Sequence, residues 1–354
     1  GWGARPATLA WAPGDRGRGN QGERRRVSPE GIKVAADSDQ GQSEAFIAAL
    51  EAGDLEGVRR APKAEAHTHG PYGGDRDWLR ERTGRDIPPL SEPLASLSQM
   101  DAWTAEHVSD LFKGADGRRL GWEGAFARAR RDGLTRVEFG EDVWMITQGV
   151  GEPADLLARI EAARTAIHPE IEWVPQLGFS RHCKRSWLWH WLTPFLEAGG
   201  WRVLDLSGDE HAQPIETFQP LYRACKDKGL RLKAHVGEWG VADDVWRAVE
   251  VLELDEVQHG IAAADSPQVM RFLADHGVVL NVCPTSNLLL GRVASLKDLP
   301  IRALYDAGVR VTINSDDTLV FGVGVSEEFL ALHQAGVFDA GELDQIRRWS
   351  LEAK

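Results

Sequence analysis

The sequence predicts an α/β protein, a (β/α)8 TIM barrel, on three observations. Eight short apolar, strand-like runs occur at 63–68, 135–139, 171–177, 202–206, 231–235, 256–259, 278–282 and 310–313. Helical patterns at 153–167, 186–197, 215–228, 242–252, 266–276, 299–307 and 325–335 separate the later ones. The residues able to do chemistry fall directly after strands one, four, five, six and eight. A closed barrel gathers such positions at one mouth, whereas an open doubly wound sheet would spread them along an edge.

Composition sets the outer limits. A chain of 354 residues with 42% hydrophobic and 27% charged side chains is an ordinary globular protein, long enough for one large core. The net charge of −13 argues against nucleic-acid and anionic membrane partners, which need clustered Lys and Arg. No apolar run approaches the ~20 residues of a membrane span. Cys183, Cys225 and Cys283 form no C-x-x-C pair, and there is no N-x-S/T sequon, so a reducing cytoplasm is expected. Nothing here sets the oligomeric state.

Taken in order, residues 1–42 are rich in Gly, Pro and Arg, with Arg24, Arg25 and Arg26 consecutive, and follow neither helical nor strand period. They read as a disordered extension, without the Ser-rich amphipathic character of a transit peptide. The barrel domain is expected over 43–354. It opens with a helix at 43–59 that carries Phe46, Ile47, Leu50, Leu55 and Val58 on one side. In the first strand, Ala64 and Ala66 should share one face, Glu65 and His67 the other. The connection from Gly70 to about Gly133 is too long for a simple link. It holds Pro88-Pro89 and a helix-like stretch at 96–112, and reads as an elaborated loop that covers or shapes a pocket. The chain ends at Lys354, soon after the last helical pattern, which leaves closing helices to lie beyond it.

His67-Thr-His69 is the stretch around which the chemistry gathers. Residues i and i+2 of a strand point the same way, so the two imidazoles can meet one ion of the zinc type. The fifth strand ends in Lys233-Ala-His235-Val-Gly237-Glu238, the sixth in His259-Gly260, and the eighth in Ile313-Asn-Ser-Asp316-Asp317. Singly, a strand-end histidine is more often hydrogen-bonded than ligating, and an Asp-Asp pair often caps a helix. Four such groups at the same ends of one barrel point instead to a metal centre, since buried aspartates are costly unless paired or metal-bound.

These motifs, with Cys283-Pro284-x-Ser286-Asn287 and Leu206-Ser-Gly208-Asp209-Glu210, resemble the signature set of the adenosine deaminase family of metal-dependent amidohydrolases. The likeness runs from residue 60 to about 325 and leans to the adenosine-deaminase-like and adenine-deaminase-like branch. It implies one zinc per chain, held by His67, His69, His235 and Asp316. It further implies Glu238 as proton donor to the purine ring, His259 and Asp316 as partners of the attacking water, and Gly208 and Asp317 as contacts to the base. The implied reaction is hydrolytic deamination of a 6-aminopurine (adenosine-like nucleoside, modified nucleoside or adenine) with release of ammonia. The alternatives are a non-purine N-heterocyclic amine as substrate, or a purine-binding barrel without turnover. Elementary chemistry agrees with the implied roles. Three histidines and one carboxylate leave zinc room for a water, whose pKa it lowers toward ~7. A buried glutamate three residues past a ligand can protonate the ring while staying off the metal.

Two absences and one departure refine this. Strand four carries no lysine to bridge a second ion, so a single metal is expected. The H-x-E and P-C-x-x-C pattern of other zinc deaminases is missing, and Cys283 is read as a small packed residue on strand seven. In adenosine deaminases proper, an acidic residue two positions after the second histidine helps hold the sugar 5′-hydroxyl. Here Pro71 stands at that position, with Tyr72 as a neutral substitute of longer reach, so changes at the 5′ carbon should be tolerated. Among fourteen tryptophans, Trp187, Trp189 and Trp191 with His190 follow strand three on the catalytic side, and packing is expected of them before base stacking.

Overall fold

In the computed structural model, which describes residues 39–352, all eight expected strands form and pair in parallel in their order along the chain. They are β1 (Lys63–Glu65), β2 (Leu134–Asp142), β3 (Glu172–Ser180), β4 (Val203–Ser207), β5 (Arg231–Val236), β6 (Glu256–His259), β7 (Val279–Val282) and β8 (Arg310–Ile313). Outward-facing residues such as Phe139, Leu177, Leu204 and Leu232 pack under the ring of helices in one apolar core. The barrel interior is polar. Lys233 Nζ, fully buried, donates to Glu138 Oε2 (2.6 Å) and to the Ala66 carbonyl (2.8 Å) and lies 3.0 Å from Glu256. Asn281 ties Glu256 (2.7 Å) to Gln258 (2.9 Å). Each buried charge meets opposite charge and hydrogen-bond partners, the condition for keeping ions out of water.

Closure between β8 and β1 is made differently from the other seven pairings. A single parallel bridge joins Thr68 to Asp316, with the Asp316 amide donating to the His67 carbonyl at 3.2 Å. The remaining edge of β1 is satisfied by side chains: Ala66 N–H donates to Asn314 Oδ1 (2.8 Å) and Ala64 N–H to Ser350 Oγ (3.2 Å). Those side chains replace the missing ladder and leave no bare edge.

Four expectations change. The helix expected at 43–59 is two, Asp39–Ala52 and Leu55–Arg60, broken at Gly53, which adopts φ +66°. The described residues begin at Asp39 in a helix that takes in the end of the extension expected at 1–42, and the rest of that extension lies outside the described residues. Strand alternation stops at Glu65. Its carboxylate pairs with Arg128 and accepts from Ser315 N–H (2.9 Å), while His67 faces the other histidines. The long connection contains the expected helix (Leu97–His107, capped by Ser96), a short one at Arg76–Thr83 and the barrel's first outer helix, Gly114–Arg131. That last helix carries little helical signal because glycines interrupt it. At Gly121 a Cβ would lie 2.2 Å from Pro71 Cβ, so the loop after β1 packs directly on helix backbone. Finally, the helix at Ala340–Glu352 has no counterpart among the expected helical patterns. It packs on β8, β1 and the Asp39–Ala52 helix, so a closing helix lies within this chain.

Gly133, which turns the chain from the Gly114–Arg131 helix into β2, tests this packing. Its φ is +69°, and a Cβ there would sit 1.7 Å from the Arg59 carbonyl oxygen. Gly133→Ala should therefore cost on the order of 2 kcal/mol or more. A urea or thermal midpoint equal to that of the parent would contradict the geometry.

Candidate active site

The C-terminal ends of β1, β5, β6 and β8 bring four histidines and two aspartates together at one mouth. The His67 ring lies 5.4 Å from that of His69, 4.7 Å from His235 and 4.6 Å from His259, centroid to centroid. One ligand atom each from His67, His69 and His235 falls within 4.8 Å of the other two. Asp316 Oδ1 stands 3.2 Å from His69 Nε2 and 3.5 Å from His67 Nε2. Every residue expected at the site from the sequence is at this mouth except Gly208, which borders it on the β4 side.

Neighbours fix how these rings face. His67 Nδ1 lies 3.3 Å from the Asn281 carbonyl, and His235 Nδ1 lies 3.2 Å from the Leu206 carbonyl and 3.3 Å from Asp205 Oδ1. Each Nδ1–H donates outward, and each Nε2 is left as a lone pair facing the centre, the arrangement found around metal ligands. Asp205 is a site residue that the sequence does not mark. It follows no strand end and carries no signal beyond being a polar residue inside strand four. Asp316 is held from three sides: Ser286 Oγ donates to its Oδ2 (2.7 Å), Thr68 Oγ1 donates to its carbonyl (2.8 Å), and its amide donates to His67. Those bonds hold it at φ +58°; His259 likewise has φ +61°. Strained backbone of this kind persists where surroundings over-determine it, commonly at functional sites.

The donor set fits a transition metal. His67 Nε2 is buried without a hydrogen-bond partner, although a buried imidazole nitrogen ordinarily has one. Three imidazoles and one carboxylate are the ligand types zinc takes. The local charge agrees with a cation at this point. Burial works against ionisation of Asp316, yet His67 and His69 hold its carboxyl well below the usual range. Burial opposes charge on His69 also, but Asp317 and Asp316 raise it to about 10.

Beside this centre stands Glu238. Its Oε2 is 3.7 Å from His259 Nε2, and its Oε1 is buried without a partner. Burial, with Asp316 and Glu210 nearby, pushes its carboxyl well above the ordinary value, the direction a proton donor needs. Asp317 is pushed up to about 7 by burial and Asp316, against the pull of His69, and its Oδ1 is also unpartnered. His259 stays neutral, driven down by burial and the neighbouring His67, with Asn287 3.2 Å from its Nδ1. Cys283 does more than pack. Its Sγ lies 3.3 Å from His67 Nδ1, and burial keeps the thiol protonated.

Glu238 is aimed by Glu210, which the sequence presents only as part of a motif. One Glu210 carboxylate accepts from the amides of Gly237 (2.7 Å), Glu238 (2.9 Å) and Trp239 (2.8 Å), anchoring the loop after β5. Across the mouth, Pro71 is buried against the Gly114–Arg131 helix, and the Tyr72 hydroxyl is 3.3 Å from Ser109 Oγ with its ring edge-on to Phe112. Asp142, the last residue of β2, is a further acid that the motifs do not mark. Burial and Glu141 push its carboxyl up to about 6. Trp187 and Trp189 do not serve packing as expected, being 51% and 46% exposed.

Histidines and an aspartate drawn from separate strands to one barrel mouth mark out the metal-dependent amidohydrolases as a class. Comparison with known proteins narrows it. The family described as adenosine deaminase matches residues 180–354. A protein assigned as an adenosine/adenine deaminase from Treponema pallidum (strain Nichols) is 32% identical over 283 residues, 80% of this chain and 95% of its own. The chain belongs to the adenosine deaminase family. Among solved structures, an adenine deaminase from Arthrobacter aurescens is similar with a TM-score of 0.71 at 23% identity, over 83% of this chain and 93% of that one. An amidohydrolase from Burkholderia ambifaria, solved with bound zinc, gives 0.70 at 21%, over 85% and 87%. At those identities the likeness is one of fold.

Glu210 supplies a test that needs no substrate. Removing its carboxylate in Glu210→Ala strands three amides, and charge-assisted bonds contribute roughly 1.5–3 kcal/mol each. Amide hydrogen exchange at Gly237, Glu238 and Trp239 should accelerate at least about tenfold while β5 itself stays protected. Unchanged exchange at those three positions would show that the loop is held by something else.

Proposed function

We propose that this protein is a zinc-dependent aminohydrolase that converts a 6-aminopurine, as base or nucleoside, to the 6-oxo purine and ammonia. The observation that carries the reading is the approach of His67, His69 and His235 within 4.8 Å, closed by Asp316, with the buried Glu238 carboxyl alongside. Membership in the adenosine deaminase family supports the substrate class. When bound, zinc turns a water molecule into a nucleophile at neutral pH.

The ligands would be His67, His69, His235 and Asp316, one ion per chain. No lysine faces this group from β4, where Asp205 instead braces His235, which supports a single ion. The chain's own residues supply the rest. An aromatic C–NH2 carbon resists attack until the neighbouring ring nitrogen is protonated, and Glu238 holds the needed proton in a buried place. His259, neutral and 3.9 Å from Asp316 Oδ2, with that carboxylate, orients the water and takes its proton. Asp317, with its raised pKa, can donate to the imidazole nitrogen of the purine, and Gly208, at φ +90°, presents bare backbone to the opposite side of the base. Water adds at C6, ammonia departs, and the carbonyl forms. No candidate ligand or catalytic position is replaced by an inert residue, which disfavours a barrel that binds purine without turnover.

Two measurements test this. Elemental analysis should find one zinc per chain, lost together with activity in His235→Ala; two ions, or none in active protein, would count against it. In Glu238→Gln the metal should remain while kcat falls about a hundredfold or more. Turnover within tenfold of the parent would remove Glu238 from the chemistry.

A further inference from the structure

We propose that the tryptophan-lined pocket beyond β3 is an outer subsite of the active site. It takes an apolar substituent at the 5′ carbon of an aminopurine nucleoside, a 5′-deoxy or 5′-thioether group, in preference to a phosphate. This rests on the deaminase reading above.

The pocket is an open cleft of about 460 Å3, walled by Trp144, Trp187 and Trp191, with Ser180, His182 and Lys184 at its edge. That is the size of a small-ligand site. It meets the chain at the end of β4, at the expected base contact. Arg181 N–H donates to the Ser207 carbonyl (2.8 Å), and a Cβ on Gly208 would lie 3.3 Å from Ser180 Oγ and 3.4 Å from His182 Cδ2. The pocket therefore begins where the expected base contact ends. Asp142 stands on the same side. It pairs in register with Gly178, where a Cβ would lie 2.1 Å from Asp142 Oδ1, so the glycine makes room for a carboxylate lying across β3.

The order of atoms around a purine says which part of a substrate would reach this pocket. With C6 at the metal centre, the proposed contacts put N1 at Glu238 after β5, the N3 side at Gly208 after β4, and N7 at Asp317 after β8. Around the ring the sequence is N1, N3, N9, N7. Around the barrel it is β5, β4, then β3 and β2, then β1 and β8. N9 and its sugar accordingly face β3 and β2, where Asp142 and the tryptophans are. Asp142 is placed to accept from a sugar hydroxyl, and the indoles to cover the group carried on the 5′ carbon.

The chemistry of the walls chooses the substituent. Three indole faces, one of them half exposed to water, favour an apolar group that would cover them. A phosphate would want several cationic donors. Among the residues lining the pocket, Lys184 is the single permanent cation, because the neighbouring Arg181 guanidinium is turned to the Glu210 carbonyl. Asp142 would repel a dianion. The 5′-hydroxyl, for its part, finds Pro71 at the position of the missing acid, and Tyr72 already engaged with Ser109.

The test compares kcat/KM of the zinc-loaded enzyme for adenine, adenosine, a 5′-alkylthio adenosine and adenosine 5′-phosphate. The 5′-alkylthio nucleoside should exceed adenosine by about tenfold, as expected for burying one or two apolar groups, and the phosphate should fall below adenosine. In Trp187→Ala the ratio of 5′-alkylthio adenosine to adenine should drop about tenfold, through KM, and Trp187→Phe should restore most of it. Trp144→Leu, read by the same ratio, gives a second wall residue should Trp187→Ala fold poorly. A preferred phosphate, or wall variants that slow adenine and the thioether equally, would overturn the subsite while leaving the deaminase reading intact. Ammonia from none of the four would overturn both.

Discussion

Everything at the mouth depends on the seam where the barrel closes. β8 and β1 do not form a ladder; they meet in one bridge, Thr68 to Asp316, and that bridge lies among the groups that carry the chemistry. The same backbone contact, Asp316 N–H to the His67 carbonyl, sets Asp316 against the first histidine pair. A regular ladder would continue β8 in extended conformation and turn the aspartate away. The left-handed backbone at Asp316 is the local cost, on the order of 1–2 kcal/mol. Hydrogen bonds from Ser286 and Thr68 offset it.

Below the seam, the barrel floor explains how so many ionisable groups are kept dry. Lys233, Glu138, Arg231 and Glu256 neutralise one another inside the barrel. Above them, carboxylates outnumber permanent cations: Asp205, Asp316, Asp317, Glu238 and Asp142 surround the histidines. The excess is relieved in two ways. Burial pushes Glu238 and Asp317 toward the neutral form, while the imidazoles favour the ionised form of Asp316. Two acids placed to donate and one placed to hold a cation are what the proposed hydrolysis of an aminopurine would use. The split depends on which carboxylate touches the histidines.

The loops divide the mouth into two halves of different character. On the β1 side, the segment after His69 is clamped onto the glycines of the Gly114–Arg131 helix, and Pro71 and Tyr72 are committed to packing. On the β2–β3 side, the wall is aromatic, with Trp144, Trp187 and Trp191 beside Ser180, His182 and Lys184. In the proposed reading, selectivity for the group that hangs from the base would be decided away from the candidate catalytic residues, as is usual when rigid strands carry reactive groups and loops carry specificity.

Strand positions and reactive residues were legible in the sequence because both depend on short-range pattern. Buried parallel strands are apolar runs wherever they occur, and His67, His69, His235, Glu238, His259, Asp316 and Asp317 sit at their ends in recognisable spacing. The Gly114–Arg131 helix was not legible, since its glycines answer to Pro71 on another segment and weaken the helical signal. Nor was the face of Glu65, which Arg128 and Ser315 draw outward against the alternation of β1. Asp205 and Asp142 act through partners on neighbouring strands, and no local spacing encodes them; Glu210 stands in a motif that does not reveal its partners. The sequence by itself thus determined the barrel and the candidate groups gathered at its mouth. Only the tertiary structure decided which carboxyls are pushed up and which down, which residue aims Glu238, and where the tryptophans stand, because those depend on burial and on contacts between segments far apart in the chain.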